Sequence, residues 1–362
     1  MRIVQLLPEL NEGGVERGTM ELSRELVKRG HESIVISKGG KLVDQIEAEG
    51  GKHIFLDLCS KNIFTAFFRM LKLRKVLKSL KPDVIHARSR VPAWLVYMAN
   101  KKLKIPFVTT VHGFNSVNFY SSIMTKGTRI ICVSESVKTY IQKHYDVSDE
   151  KIFVIARGID LEKFNPKHLD KNFTEAFKKK YGLKKQYIVS SVGRITQLKD
   201  HQTFIAAIAL LTKEDPNILG LIVGGVRKDK QKYLLLLKSL VKELGVEDNI
   251  IFTGSQSKVA EIYALSDVLV SSSKKPESFG RSVAEALALS TAVVATNHGG
   301  VLDIIREGDN GYFCPVEDSE ALAKYIQQAK MLDFDGYKYI SETFSLKQMV
   351  EKTVKVYEKV LA

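Results

Sequence analysis

Glu277-Ser-Phe-Gly-Arg-Ser-Val-Ala-Glu285 sets two carboxylates at the two ends of a turn that enters an apolar helix. Upstream, Asp267-Val-Leu-Val-Ser271 is a short β-branched run that reads as a buried strand, and downstream Ser282 to Leu289 has the apolar content of a buried helix. The unit is strand, loop, helix. In an open parallel sheet the ligand crevice lies at the carboxyl ends of the strands, and a helix starting there turns its free backbone N–H groups into it. The amides near Phe279, Gly280 and Arg281 therefore favour an anion. Glu277, just before the helix, suits sugar hydroxyls, so one loop could hold both ends of a sugar phosphate. Glu285 could accept hydrogen bonds from a vicinal diol such as a ribose, each charged bond contributing on the order of 1.5–3 kcal/mol. Spacing alone leaves a second reading open, in which Glu277 caps the helix and Glu285 is solvated.

The same alternation runs on both sides of this stretch. Tyr187 to Val192 predicts a strand, and Gly193-Arg194-Ile-Thr-Gln-Leu-Lys199 follows it; the glycine frees the backbone, while Arg194 and Lys199 offer a fork and a point charge suited to a diphosphate. Strands over 219–223 and 250–253 end in Gly224-Gly225 and Gly254, and the backbone near Gly224 and Ser255 to Ser257 is the expected place of a nucleobase. A further strand, 292–295, precedes His298-Gly-Gly300.

In the first half, a strand over 2–7 leads through Asn11-Glu-Gly-Gly-Val-Glu16 into a helix reaching Arg29. Gly13 and Gly14 permit close backbone approach, but the loop is not G-x-G-x-x-G, so a nicotinamide-type site is poorly supported. Strands follow over 33–37 and 52–58. Asn62 to Lys81 reads as one helix, with Ile63, Phe67, Met70, Leu73, Leu77 and Leu80 at helical spacing and Arg69, Lys72, Arg74, Lys75 and Lys78 among them. Its cations form either a solvated face on an ordinary packed helix or a membrane-surface contact. His86, Arg88 and Arg90 follow the next strand; the arginines could hold an acidic acceptor or lie on the surface, and His86 could be a satisfied structural histidine. Phe107 to Val111 ends at His112-Gly113, which puts His112 at the crevice end of a strand.

A Glu, seven residues and a second Glu, with Phe-Gly inside, resembles the donor signature of the retaining family 4 glycosyltransferases of GT-B fold. The resemblance covers essentially the whole chain and is densest from Gly193 to Gly311. It implies two Rossmann-like α/β domains facing across a cleft: residues 1–160 for the acceptor, 161–345 for the nucleotide sugar, and a helix over 346–362 crossing back to the first. It implies Glu277 on the transferred sugar, Glu285 on the nucleotide ribose, Gly13 and Gly14 facing the donor phosphates, and His112 on the donor sugar. The turn-rich stretch Arg157-Gly-Ile-Asp160 resembles the interdomain hinge. Three departures, Ser278 for Pro, Ser290 for Gly and Asp303 for Glu, leave the carboxylates in place but bear on sugar selectivity.

Composition limits the alternatives. The 362 residues suit two domains. Cys59, Cys132 and Cys314 are far apart, with no Cys-x-x-Cys, and read as buried free thiols of a reducing compartment. Neither a signal peptide nor a membrane-spanning run is evident, so the expected location is cytoplasmic, peripheral on the inner face of a bacterial cytoplasmic membrane. The net charge of +14 asks for an anionic partner; no nucleic-acid motif is present, which favours an anionic membrane. Asp333-Phe-Asp335 is formally a D-x-D triplet but falls outside any strand-loop crevice, and no metal or cofactor is expected beyond a nucleoside-diphosphate sugar as donor substrate. The sequence thus reads as a transferase acting on a membrane-anchored glycolipid or glycan acceptor, with a lipopolysaccharide core or related cell-surface glycan as the expected product; its rivals are a nucleotide-sugar epimerase of the same fold and a non-catalytic glycan-binding protein.

Overall fold

The computed structural model describes residues 1–11 and 13–362, with the side chain of Ile63 set aside. Two compact units emerge, one built from Met1–Gly158 and Leu346–Ala362, the other from Ile159–Ser345.

The first unit is a seven-stranded parallel sheet of β1 (Arg2–Leu6), β2 (Glu32–Ser37), β3 (Lys52–Phe55), β4 (Val84–Ala87), β5 (Phe107–Val111), β6 (Arg129–Cys132) and β7 (Ile152–Val154). Its spatial order is β3-β2-β1-β4-β5-β6-β7, so the winding reverses between β1 and β4. Helices α1 (Gly14–Lys28), α2 (Val43–Ala48), α3 (Ile63–Leu80), α4 (Arg90–Asn100) and α5 (Glu135–His144) connect the strands. Helices on both faces explain why every residue of β4 and β5 is buried, the one polar ring among them, His86, having both nitrogens hydrogen-bonded. On one face Leu73, Leu77 and Val96 of α3 and α4 pack on Ile85 and Phe107; on the other, Leu22 and Leu26 of α1 meet Val84 and Ile3.

Asn62 caps α3 by accepting the Phe64 N–H, and Lys81 in the left-handed region ends it. Strand β3 stops at Phe55, short of the expected Leu58, because the Asp57 carboxylate accepts the Cys59 and Ser60 amides at 3.0 and 3.1 Å and turns the chain.

The second unit is a six-stranded parallel sheet of β8 (Tyr187–Val192), β9 (Ile218–Val223), β10 (Ile250–Gly254), β11 (Val268–Ser271), β12 (Ala292–Thr296) and β13 (Gly311–Cys314), ordered β10-β9-β8-β11-β12-β13. Here the winding reverses between β8 and β11. Its helices are α6 (Lys171–Tyr181), α7 (His201–Leu211), α8 (Gln231–Glu243), α9 (Val259–Leu265), α10 (Arg281–Leu287), α11 (Ser319–Ala329) and α12 (Gly336–Thr343). Phe204, Ile208, Leu237 and Leu322 fill one face of the sheet, Phe177 and Ile262 the other. Asp335 is the N-cap of α12, accepting the Lys338 amide at 2.9 Å, so the D-x-D triplet has a structural use.

The last helix, α13 (Leu346–Leu361), belongs to the first unit, where Val350 and Tyr357 join the α1 core cluster. Among the described residues no helix is long and apolar enough to cross a membrane.

Candidate active site

Ligands of open α/β sheets bind beyond the strand ends where the winding reverses. In the second unit that point lies between β8 and β11, and the loops leaving these two strands carry Lys199 and Glu277. Lys199 Nζ donates to Glu277 Oε1 at 2.5 Å, with the two side chains 27% and 21% exposed. The same oxygen accepts from the hydroxyls of Ser273 at 2.7 Å and Ser271 at 3.4 Å. Burial alone would raise the Glu277 carboxyl; the Lys199 ammonium and the two hydroxyls outweigh it and hold the carboxyl below its usual value. Glu277 is therefore an anion, already oriented, with acceptor capacity left on Oε2.

Close backbone packing builds this corner. A Cβ on Gly193 would stand 3.1 Å from Lys199 Cε, and one on Gly224 would stand 1.8 Å from the Gly193 carbonyl, so the ends of β8 and β9 meet only as glycines. Gly193 N–H donates to Val223 O and Ile195 N–H to Gly225 O, fastening the loop that bears Arg194, which is exposed. Ser255, also exposed, lies beside Gly225. Gly300 N–H donates to Glu277 O at 2.7 Å, and His298 Nε2–H donates to Ser273 O at 2.8 Å, so the loop after β12 clamps the glutamate loop from the other side.

Helix α10 begins at Arg281 and ends at Leu287, shorter than the expected 282–289. Gly280, at φ +95°, turns the chain into it, and the Phe279 side chain is buried 6.0 Å from the Phe344 ring. Arg281 Nε donates to Glu285 Oε1 at 2.9 Å, and the Tyr263 hydroxyl donates to Oε2 at 3.2 Å. Glu285 is buried and held, which removes the solvated alternative.

The first unit gathers a separate cluster at its own reversal point. Gly13 is the N-cap of α1 and Gly14 its first residue, while Glu12 of that loop lies outside the described residues. A Cβ on Gly14 would meet Arg157 Nη1 at 2.6 Å. Arg157 Nη2 donates to His112 Nδ1 at 3.5 Å, an assignment that leaves the ring proton on Nε2. That atom is out of contact with solvent and has no hydrogen-bond partner among the described residues. Burial first, then the positive Arg88 and Arg157 and His86, keep the His112 pKa well below its ordinary value, so the ring is neutral at pH 7.

His86 is structural: Tyr357 Oη and Thr110 Oγ1 hold its two nitrogens at 2.7 and 2.6 Å. Arg88, read as either an acceptor contact or a surface residue, is instead buried and donates to Gln5 Oε1 at 3.2 Å, because β4 lies inside the sheet beside β1. Burial lowers its pKa to about 10, which leaves it charged at pH 7. Arg90 is half-buried, donating to Ser121 Oγ and stacking over Tyr120. The basic face expected on α3 also changes. Arg69 is buried and donates to the Asn62 and Asp57 carbonyls, whereas Phe67, expected in the buried stripe, is exposed. Three participants went unread: Arg157, taken for part of a hinge although it follows a strand end as His112 does; Ser273, the closest hydroxyl on Glu277; and Tyr263 on Glu285.

Comparison with known proteins decides the family. The family model described as Glycosyltransferase Family 4 matches residues 12–163, and that described as Glycosyl transferases group 1 matches residues 173–341. A crystal structure of a glycosyltransferase from Rickettsia africae ESF-5 is 32% identical, covers 99% of this chain and 98% of its own, and superposes with a TM-score of 0.91. The chain is a family 4 glycosyltransferase.

The enzyme shares 28% identity with the N-acetyl-alpha-D-glucosaminyl L-malate synthase of Bacillus anthracis over 84% of this chain and 81% of that relative. The GT-B fold also aligns with Anabaena Alr3699/HepE in complex with UDP and glucose, at a TM-score of 0.84 and 19% identity over 99% of this chain and all of that one. Both sheets of the glycosyltransferase thus carry a polar cluster at the reversal of their strand order, and in the second unit it rests on Gly224, where any Cβ would meet the Gly193 carbonyl.

Proposed function

We propose that this glycosyltransferase moves a sugar from a nucleoside-diphosphate donor to a membrane-anchored glycan, retaining anomeric configuration, in the synthesis of lipopolysaccharide or a related cell-surface glycan. The observation that carries the donor half is the Lys199–Glu277 pair at the β8/β11 reversal. Lys199 and the exposed Arg194 meet the diphosphate and stabilise the charge that develops as it leaves. Glu277 orients the transferred sugar through its hydroxyls. Glu285, fixed by Arg281 and Tyr263, accepts from the ribose diol, and the backbone at Gly224 and Ser255 takes the base. The amides from Phe279 to Arg281 and the Gly13-Gly14 turn complete the phosphate contacts, and the neutral His112 donates Nε2–H to a sugar oxygen. By family resemblance the leaving diphosphate itself assists removal of the acceptor proton.

The acceptor half is supported by the basic charge and by four apolar residues of α3, Phe64, Phe67, Phe68 and Leu71, that are exposed to solvent. The test is a thermal-shift panel of UDP, GDP, ADP and CMP sugars, since a ligand of the folded state raises its stability. Transfer assays with the sugar that binds then follow. Arg194→Ala with Lys199→Ala should weaken the nucleoside diphosphate more than the nucleoside. Equal loss of both, or no shift with any donor, refutes the donor half. Interconversion of the free donor sugar without acceptor would instead make the protein an epimerase.

A further inference from the structure

The net charge of the chain is not spread over it. Residues 58–134 contain 14 Lys and Arg and a single acid, Asp83, so this segment holds +13 of the total +14. The same segment exposes apolar surface that no other part of its unit covers: Phe64 is 83% exposed, Phe68 70% and Phe119 80%. Large apolar side chains left together in water mark a surface that binds a partner.

Between α3 and α4 this surface opens into a groove of about 720 Å³, within the range of about 300–1,000 Å³ typical of ligand pockets. Ala66, Phe67, Met70, Trp94, Met98 and Phe119 line it, nearly all apolar, with Lys61 at its edge. The walls are held in place. Trp94 Nε1 donates to Tyr120 O at 2.9 Å, the Trp94 and Phe119 rings lie 5.2 Å apart, and Arg90 fixes the same loop through Ser121 Oγ and the Tyr120 ring.

We infer that this groove binds the hydrocarbon chain of an anionic lipid, the lipid that carries the glycan acceptor. The inference rests on the membrane-acceptor reading above and adds to it a site. The occupant follows from two chemistries in one place. The apolar lining takes a chain and offers few partners for the polar groups of a protein surface. Lys61 of the lining and the exposed Lys72, Lys75 and Lys78 of α3 take an anionic head group at the leaflet. A second copy of this chain is disfavoured, because it would bring a like-charged segment face to face with this one. Phe64 and Phe68, on the outer face of α3, then rest in the interface while one chain leaves the leaflet for the groove.

Decyl phosphate, kept below its micelle concentration, is the probe for the groove, with inorganic phosphate as its headgroup control. Sedimentation with phosphatidylcholine vesicles, with and without phosphatidylglycerol, probes the membrane reading separately. The parent should bind decyl phosphate and not inorganic phosphate. Ala66→Trp, which fills the groove, and Phe119→Ser, on an exposed loop, should each weaken decyl phosphate about tenfold or more, with anionic vesicle binding and the donor thermal shift retained. Vesicle binding with no decyl phosphate binding, or equal decyl phosphate binding in parent and Ala66→Trp, overturns the groove while the membrane reading stands. Decyl phosphate binding without vesicle preference sinks the membrane reading alone. A parent dimer that Ala66→Trp converts to monomer, with no amphiphile bound, assigns the groove to a second copy and overturns the proposal.

Discussion

Replacing Lys199 by Met keeps the length and apolar stem of the side chain and removes the ammonium from Glu277. A charge-assisted bond is worth about 1.5–3 kcal/mol, and these side chains are a fifth to a quarter exposed, which places the expected loss at pH 7 near the lower half, about 2 kcal/mol. That corresponds to a fall in Tm of roughly 4–8 °C for a unit of this size. The pH dependence is the sharper part. In the parent, Glu277 lies below its usual 4.5, so its contribution is complete above that value and is lost as pH falls through the lowered one. In Lys199→Met, burial, the largest influence on this carboxyl, is left opposed only by hydroxyls, and the pKa moves up. Such an acid destabilises the folded state above its raised pKa and ceases to do so once protonated. The stability gap between parent and variant should therefore narrow as pH falls from 7 towards about 4.5, while all other carboxylates cancel in the difference. Urea unfolding of parent, Lys199→Met, Glu277→Gln and the double variant across that range measures both the gap and the coupling. A gap that does not change with pH, or a coupling below about 0.5 kcal/mol, would refute the reasoning.

Three further outcomes are expected. Glu277→Gln should lower turnover with nucleotide still bound, whereas Glu285→Gln should weaken free nucleoside diphosphate by roughly 10- to 150-fold, read by calorimetry, through loss of a charged acceptor worth about 1.5–3 kcal/mol. Ser290 holds φ +57° and its hydroxyl accepts the Gly336 amide at 3.1 Å; Ser290→Ala keeps the strain and loses the bond, costing about 1 kcal/mol, while Ser290→Gly relieves one and loses the other and should be within about 0.5 kcal/mol of the parent in thermal unfolding. Burial pushes the Cys132 and Cys314 thiols up to about 12, so with a thiol reagent at pH 8 half-buried Cys59 should label first and the other two only on unfolding.

The sequence by itself determined what is local. Strand, glycine turn and helix follow one another within a few residues around Gly193 and Glu277, which puts Lys199 and Glu277 in loops that leave strand ends. With the family resemblance added, Lys199, Glu277 and Glu285 could be named as candidates before any coordinates. The charge on residues 58–134 was equally present in the chain, but a whole-chain sum of +14 hid its concentration.

Tertiary structure alone decided which loops meet and which faces are covered. Lys199 and Glu277 are 78 residues apart, and they pair because β11 returns to lie beside β8, an adjacency that no periodicity encodes. Arg88 is buried because β4 is an interior strand, with β1 and β5 on either side. On α3 the pattern was ambiguous for a physical reason: the helix is apolar over most of its circumference, so periodicity marks which residues share a side without saying which side the sheet and α4 will cover. Packing chose Leu73 and Leu77, took Arg69 in with them to bind the Asn62 and Asp57 carbonyls, and left Phe64, Phe67 and Phe68 outside.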